Sequence, residues 1–201
     1  AYAAPLDDQA FAEAILPAAV GGFQSSLRID PDFLPSRSPP MGIHVTVCNF
    51  ASVALLENLI CSKRRVGLTS LLVMALDRLT CPHLERAGLL DEPNVVCLFF
   101  FSRMVQQIRL MKPEMYEHKD APLRDLLDGT PSGATFNTPN HAFMINTKLF
   151  AMRDVVNAGF GIFLTDVDTV LLADPRPTFR KVFETHRQVT MIFQDDTTRQ
   201  V

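Results

Sequence analysis

An α/β layer fold, a mainly parallel sheet flanked by helices, is what the sequence predicts, and three observations predict it. Apolar runs of strand length recur along the chain: IHVTVCNF, SLLVMALD, NVVCLFFF and FGIFLT. Amphipathic stretches of helical period separate them, and glycines stand where those stretches stop. Composition agrees, because 201 residues that are 47% hydrophobic and 20% charged suffice for one core.

Taken in order, residues 6–20 read as a short helix led by Asp7 and Asp8, which suit a helix N-terminus. RIDPDFLPSRSPP follows, with prolines at 31, 35, 39 and 40, and reads as a linker or strap. The compact domain is therefore expected to start near Met41, with residues 1–40 as an N-terminal helix and strap and 41–201 as the domain. IHVTVCNF is a buried strand, ASVALLENLICSKRRVG a helix closed by Gly67, and SLLVMALD a second strand. CPHLERAG is a short helix ending at Gly88, and NVVCLFFF a third strand. From Ser102 to Asn140 the pattern loosens, with Pro113, Pro122, Pro131 and Pro139, into a long, partly irregular excursion of the kind that builds sites. HAFMINTKLFAMRDVVNAG returns to helix, stopped at Gly159. FGIFLT is a strand, TVLLADP a turn back into the core, RPTFRKVFETH a helix, and QVTMIFQDD a last strand.

Several function classes recede on composition alone. A net charge of -3 without a basic block leaves no electrostatic footprint for nucleic acid. No apolar run approaches the roughly 18 residues of a membrane span. The chain begins at Ala1 rather than Met, and a processed or excised piece is expected. Cys48, Cys61, Cys81 and Cys97 lack the C-x-x-C spacing of zinc sites, and buried thiols are expected ahead of disulfides. The five histidines are scattered, none beside a nucleophile. Lys63, Arg64 and Arg65 read as a solvated helix end that complements the dipole.

Chemistry concentrates in GFGIFLTDVDTVLLADP, residues 159–175, where Asp166 and Asp168 follow a buried strand. In open α/β sheets, ligands gather at the carboxyl ends of strands. Residues i and i+2 of an extended backbone point the same way, so both carboxylates would face one site. Two hard oxygen donors suit Mg²⁺ or Mn²⁺, which keep waters and bind substrate phosphates. The pattern alone is common: Asp30 and Asp32 repeat it in the strap. Two chemistries compete for the pair. One is metal-bridged binding of a sugar diphosphate. The other is phosphoryl transfer, since FLTDVDTVLL also looks like the first motif of haloacid-dehalogenase-type phosphatases, with the first aspartate as nucleophile. That motif belongs on the first strand of its fold, and Asp195 and Asp196 follow too soon to be its distant acidic pair.

Order and spacing favour the first chemistry. Three pieces together resemble the nucleotide-diphospho-sugar transferase domain of plant and algal cell-wall glycosyltransferases, the rhamnogalacturonan xylosyltransferase and extensin arabinosyltransferase type. They are HVTVCNFASVALLENLICSKRRVGLTSLLVMALD, with Asn49, Asn58 and Asp77; TKLFAMRDVVNAGFGIFLTDVDTVLLADP, with Lys148, Gly159 and the D-x-D; and VTMIFQDD. The resemblance covers roughly residues 43–196. Leu171 stands where the family carries Trp, and Ala173 where an Arg precedes its D-P.

What the resemblance implies is a GT-A fold, Rossmann-like in its nucleotide-binding half, acting with retention on a nucleotide sugar, UDP-linked, with Mn²⁺ or Mg²⁺ at Asp166 and Asp168. Asp168 would ligate the metal, and Asp166 would contact it, a metal-bound water or the ribose. Asn49 and Asp77 would lie near the nucleotide, and Lys148 at the back of the site or near the phosphates. Asp195 and Asp196 would be acids on the catalytic side. The implied acceptor is a cell-wall polysaccharide or hydroxyproline-rich glycoprotein, and the implied location the Golgi lumen. Such domains continue into an acceptor-binding half, so this chain is expected to hold the donor half and to lack the rest. The alternative is a non-catalytic nucleotide-sugar-binding remnant. Each residue also has a plainer reading: Asn49 and Asp77 as helix caps, Lys148 as a solvated helix residue, Asp174 as a turn residue, Asp195 and Asp196 as a solvated strand end.

Overall fold

The computed structural model describes residues 7–19, 23–24, 41–91, 94–100, 103 and 139–186. The proline strap, nearly all of the 102–140 excursion, and the expected last strand with Asp195 and Asp196 lie outside the described residues. Five strands and five α-helices are described: α1 (Asp8–Ala19), β1 (Phe23–Gln24), β2 (Met41–Cys48), α2 (Val53–Arg65), β3 (Leu71–Ala75), α3 (Thr80–Arg86), β4 (Val95–Phe99), α4 (Pro139–Asn157), β5 (Gly161–Leu164) and α5 (Arg176–Thr185). A 3-10 turn, Phe50–Ser52, joins β2 to α2.

β2, β3, β4 and β5 pair in parallel, and two-residue β1 pairs antiparallel with the start of β2. Across the parallel strands the order is β5-β2-β3-β4. The chain thus lays down β2, works outward to β4, and returns to the far side of β2 with β5. The sheet is Rossmann-like, and its direction of growth reverses between β2 and β5. Crevices at such reversals are where open α/β sheets bind ligands, outside the carboxyl ends of the strands. The β2–β5 register runs from Gly42↔Gly161 to Val45↔Leu164, so β2 continues toward Asn49 after β5 has stopped pairing.

Period-2 alternation divides β2 between two layers. Ile43, Val45 and Val47 join Leu72, Met74 and Phe100 under α1 and α4. Cys48 joins Leu71, Val73 and Val95 on the other face, under Leu56, Leu59 and Ile60 of α2 and Leu84 of α3. With helices on both sides, all five residues of β3 are buried, and the strand reads as a continuous apolar run.

Three expectations are corrected. The compact unit does not begin at Met41. Asp7 Oδ1 caps α1 by accepting the Ala10 amide at 2.7 Å, and Phe11, Ile15 and Ala18 place that helix in the same core as the sheet. Its Asp8 accepts from Arg103 Nη2 at 2.6 Å; the same guanidinium donates through Nε to buried Asp154 of α4 at 2.5 Å and lies 4.6 Å from the Phe11 ring centroid. Sequence reading missed this clasp because it joins residues about a hundred positions apart.

Nor is Lys63 solvated. It is 2% exposed, and its ammonium donates to the Ser70 carbonyl just before β3, whereas Arg64 and Arg65 do lie outside. Its aliphatic stem packs on apolar surface while the charge finds a backbone acceptor.

Finally, Cys81 of α3 and Cys97 of β4 form a disulfide, with Cα atoms 5.5 Å apart, where thiols were expected. Cys48 is the buried thiol that its strand implied, and Cys61 is an exposed one. The pairing depends on α3 lying against β4, which no cysteine spacing reveals.

Candidate functional site

The spacing from Lys148 to Asp166 has a geometric cause. Gly159, at φ 89°, reverses the chain between α4 and β5 in a conformation that disfavours other residues. Lys148 stands roughly 14 Å up α4 from Asn157 at about 1.5 Å per residue. Asp166 stands roughly 16 Å up from Gly161 at about 3.3 Å per residue. Helix and strand run in opposite directions from the turn, so the two side chains reach the same level. They meet there: Lys148 Nζ donates to Asp166 Oδ1 in an ion pair. The reading of Lys148 as merely solvated therefore gives way to one in which it touches the D-x-D.

Thr165 anchors the loop below the pair. Its amide donates to the Val45 carbonyl at 3.1 Å, its carbonyl accepts from Thr46 Oγ1 at 3.0 Å, and its hydroxyl bonds His44 Nε2 at 2.7 Å. Beyond it the backbone leaves the sheet. The Thr169 amide closes a turn on the Asp166 carbonyl at 3.2 Å, with Val167 and Asp168 at its centre. The expected extended D-x-D is thus a turn. Both carboxylates face solvent because Val167, between them, packs inward against the α2–α3 core.

The following segment does not return to the core as expected. Leu171 is half-buried and its amide donates to Ser62 Oγ at 3.1 Å, but Val170 and Leu172 are exposed, Leu172 by 91%. Asp174 is the turn residue anticipated, accepting from the Arg176 amide and Nε, each at 2.9 Å. Although burial opposes it, the Arg176 guanidinium holds the Asp174 carboxyl below its usual range.

Across the switch point, Asn49 directly follows β2. It is 4% exposed, and its side chain does not cap the 3-10 turn. Among the described residues its Oδ1, buried from solvent, has no hydrogen-bond partner. The capping reading of Asn49 is not what the geometry shows.

For Asp77 the capping reading is what the geometry shows. The carboxylate is fully buried, and Oδ1 accepts the amides of Leu79 at 2.7 Å and Thr80 at 2.9 Å at the start of α3. The Thr80 hydroxyl donates to both oxygens, and Oδ2 also accepts the Phe50 amide. Asp77 therefore ties the end of β2 to the start of α3 and shapes the floor beside Asn49. Phe50 in turn lies edge-on to His83, centroids 5.5 Å apart, and His83 Nε2 pairs with Glu57 at 2.8 Å.

His44 and Thr165 escaped the sequence reading. A histidine inside an apolar strand and a threonine before an aspartate are each unremarkable until the two strands are set side by side. His44 Nδ1 is buried with no hydrogen-bond partner among the described residues, and its ring lies 4.6 Å from that of Phe163. Burial, with the Lys63 charge second, pushes its pKa well below the ordinary histidine value.

The donor set can be judged against the divalent cation that the resemblance implies. Among the described residues no three His, Cys, Asp or Glu side chains converge as a ready-made cage. Two exposed carboxylates at a strand-end turn instead fit a hard cation that keeps waters and shares its shell with substrate phosphates. Asp168 has no hydrogen-bond or ion-pair partner among the described residues. The phosphatase alternative fares worse, because the D-x-D follows the last of the four described parallel strands in the chain rather than the first.

No curated protein and no solved structure matches the chain. Residues 102–200 match the family model of nucleotide-diphospho-sugar transferases, a span that takes in Lys148, Asp166, Asp168, Asp195 and Asp196 and begins after Asn49 and Asp77. The part of the chain that carries the D-x-D is thus similar to enzymes that transfer a sugar from a nucleoside diphosphate.

Proposed function

We propose that the protein is a glycosyltransferase of GT-A type that binds a UDP-linked sugar across the β2–β5 switch point, with Mn²⁺ or Mg²⁺ held by Asp168 and Asp166. One observation carries the reading. The D-x-D inside the matched span stands at the topological reversal of the sheet, just past the carboxyl end of β5 where it pairs with β2.

The divalent cation would neutralise charge developing on the diphosphate as the glycosidic bond breaks. The chain's own groups do the rest. Thr165, fixed to β2 through its amide, carbonyl and hydroxyl, holds the base of the D-x-D turn, and Val167 keeps both carboxylates outward. Asn49, directly after β2, is assigned to the nucleotide by resemblance. Asp77 acts on the ligand only through the floor it builds. Lys148 supplies positive charge beside the phosphates. Asp195 and Asp196, outside the described residues, are assigned as catalytic-side acids by resemblance alone. So are retention and an acceptor that is a cell-wall polysaccharide or hydroxyproline-rich glycoprotein. A Golgi-lumen location accords with the Cys81–Cys97 disulfide, since oxidising compartments sustain such bonds.

Calorimetry with UDP, with and without Mn²⁺, tests the reading. Metal should tighten UDP binding, and Asp168→Asn should weaken the metal-supported binding by about 10- to 100-fold. Binding indifferent to both would refute the site. Sugar release or transfer from a UDP-sugar donor in the same preparation separates an enzyme from a binding remnant.

A further inference from the structure

The two carboxylates of the D-x-D are not equivalent, and the difference assigns Lys148 a role beyond proximity. Asp166 carries the ion pair with Lys148, while Asp168, across the turn, has no partner among the described residues. The Lys148 side chain is 27% exposed and that of Asp166 57%. A pair so wetted contributes little to stability, so it can open and re-form at small cost. Lys148 sits mid-helix on α4, held at the level of the turn by the Gly159 reversal, and its flexible stem can swing the ammonium without moving backbone.

We propose that Lys148 is a resident counter-cation that competes with the divalent metal for Asp166 and turns to the nucleotide's diphosphate when metal and nucleotide arrive together. This rests on the donor-site reading above and adds an order of events to it. Without ligand, the ammonium balances one of the two exposed carboxylates and keeps Asp166 aimed across the turn. It also lowers the net negative charge that a metal alone would meet. With a nucleoside diphosphate present, the diphosphate brings negative charge of its own, the metal takes Asp166, and the freed ammonium has a new anion within reach. The site then favours metal and nucleotide together over metal alone. Lys148 is a positioning and charge-compensating residue. It breaks no bond.

Opposite signs in two titrations test this. Mn²⁺ uptake by the nucleotide-free protein is read from the loss of the free-ion electron paramagnetic resonance signal, and UDP affinity at saturating Mn²⁺ by calorimetry. Lys148→Met should tighten Mn²⁺ alone by about three- to fivefold, the scale of an exposed ion pair. It should weaken UDP with Mn²⁺ by about tenfold, the scale of a lost charge-assisted contact. Lys148→Arg, which keeps the charge, should return both toward wild type. Lys148→Gln serves equally if the methionine variant does not fold, and thermal melts establish folding for each.

A lysine that merely supports the fold would lower both affinities on substitution, and that result overturns the proposal, as does no change in either. If wild type binds Mn²⁺ and Asp168→Asn does not, while Lys148 variants change neither arm, this inference alone falls. If wild type takes up no Mn²⁺ with or without UDP, the donor-site reading falls and this inference with it.

Discussion

Asp77 had two readings, ligand contact or cap, and Asp77→Ala separates them. The carboxylate accepts the amides of Phe50, Leu79 and Thr80 and the Thr80 hydroxyl from a fully buried position. Losing the cap costs about 1 kcal/mol. That loss already includes the Thr80 amide; stranding the Phe50 amide costs about 1 kcal/mol more, while Leu79 is exposed and its amide can turn to water. The sum of about 2 kcal/mol corresponds to a fall of about 4–8 °C in Tm for a chain of this size. Asp77→Asn, which keeps the shape but turns an NH₂ toward a donor, should lose less. Urea unfolding followed by circular dichroism measures the change, and UDP calorimetry on the same folded samples measures the ligand. Stability within about 0.5 kcal/mol of wild type would refute the capping argument, since that is the scale of an uninvolved surface site. If UDP affinity collapsed while stability held, Asp77 would be a ligand residue after all.

Two further predictions follow from the cysteines and from His44. In the native state under non-reducing conditions, iodoacetamide should modify Cys61 alone, because Cys81 and Cys97 are bonded and burial, with the Asp77 charge second, pushes the Cys48 thiol up to about 12. Mass spectrometry showing two labels would refute the assignment, and reduction of the disulfide should cost about 3 kcal/mol for a loop of this length. His44 carries a pH dependence of definite sign. Its folded pKa lies below its unfolded value, so the unfolded chain takes up the proton first. Stability is therefore full above about pH 6.5 and declines below it by up to about 1.4 kcal/mol per unit. Comparing urea midpoints of wild type and His44→Gln between pH 7.5 and 5 isolates the contribution. Equal slopes would show that His44 is not its source.

What was legible in the sequence was what local periodicity writes. β2 to β5 and their helices lie within a few residues of the runs that announced them, because strand alternation and helix-stopping glycines are properties of neighbours. Interactions between distant elements were not legible. Lys63 lies at the end of a helix whose last three residues are all basic, and only the approach of Ser70 decides which of them turns inward. α1 follows the same rule: its apolar stripe was visible, but the Arg103 clasp that commits it to the core joins residues 95 positions apart. The Cys81–Cys97 bond needs α3 to lie against β4 before any pairing has meaning.

The D-x-D shows where the two kinds of information meet. Strand alternation does not bring the pair together: Asp166 and Asp168 occupy a turn and share a solvent-facing side only because Val167 is drawn inward. Its location was legible for another reason. A helix rises about half as much per residue as a strand, so a lysine, a helix end, a glycine and a strand can bring Lys148 and Asp166 level only at certain separations. That constraint survives any error about which way a carboxylate points. Asp30 and Asp32 have no such lysine and glycine before them, and spacing rather than the acid pair distinguishes the two. It follows that inserting one alanine into α4 between Lys148 and Gly159 should break the Lys148–Asp166 pair by rotating the lysine about a hundred degrees around the helix, even with both residues retained.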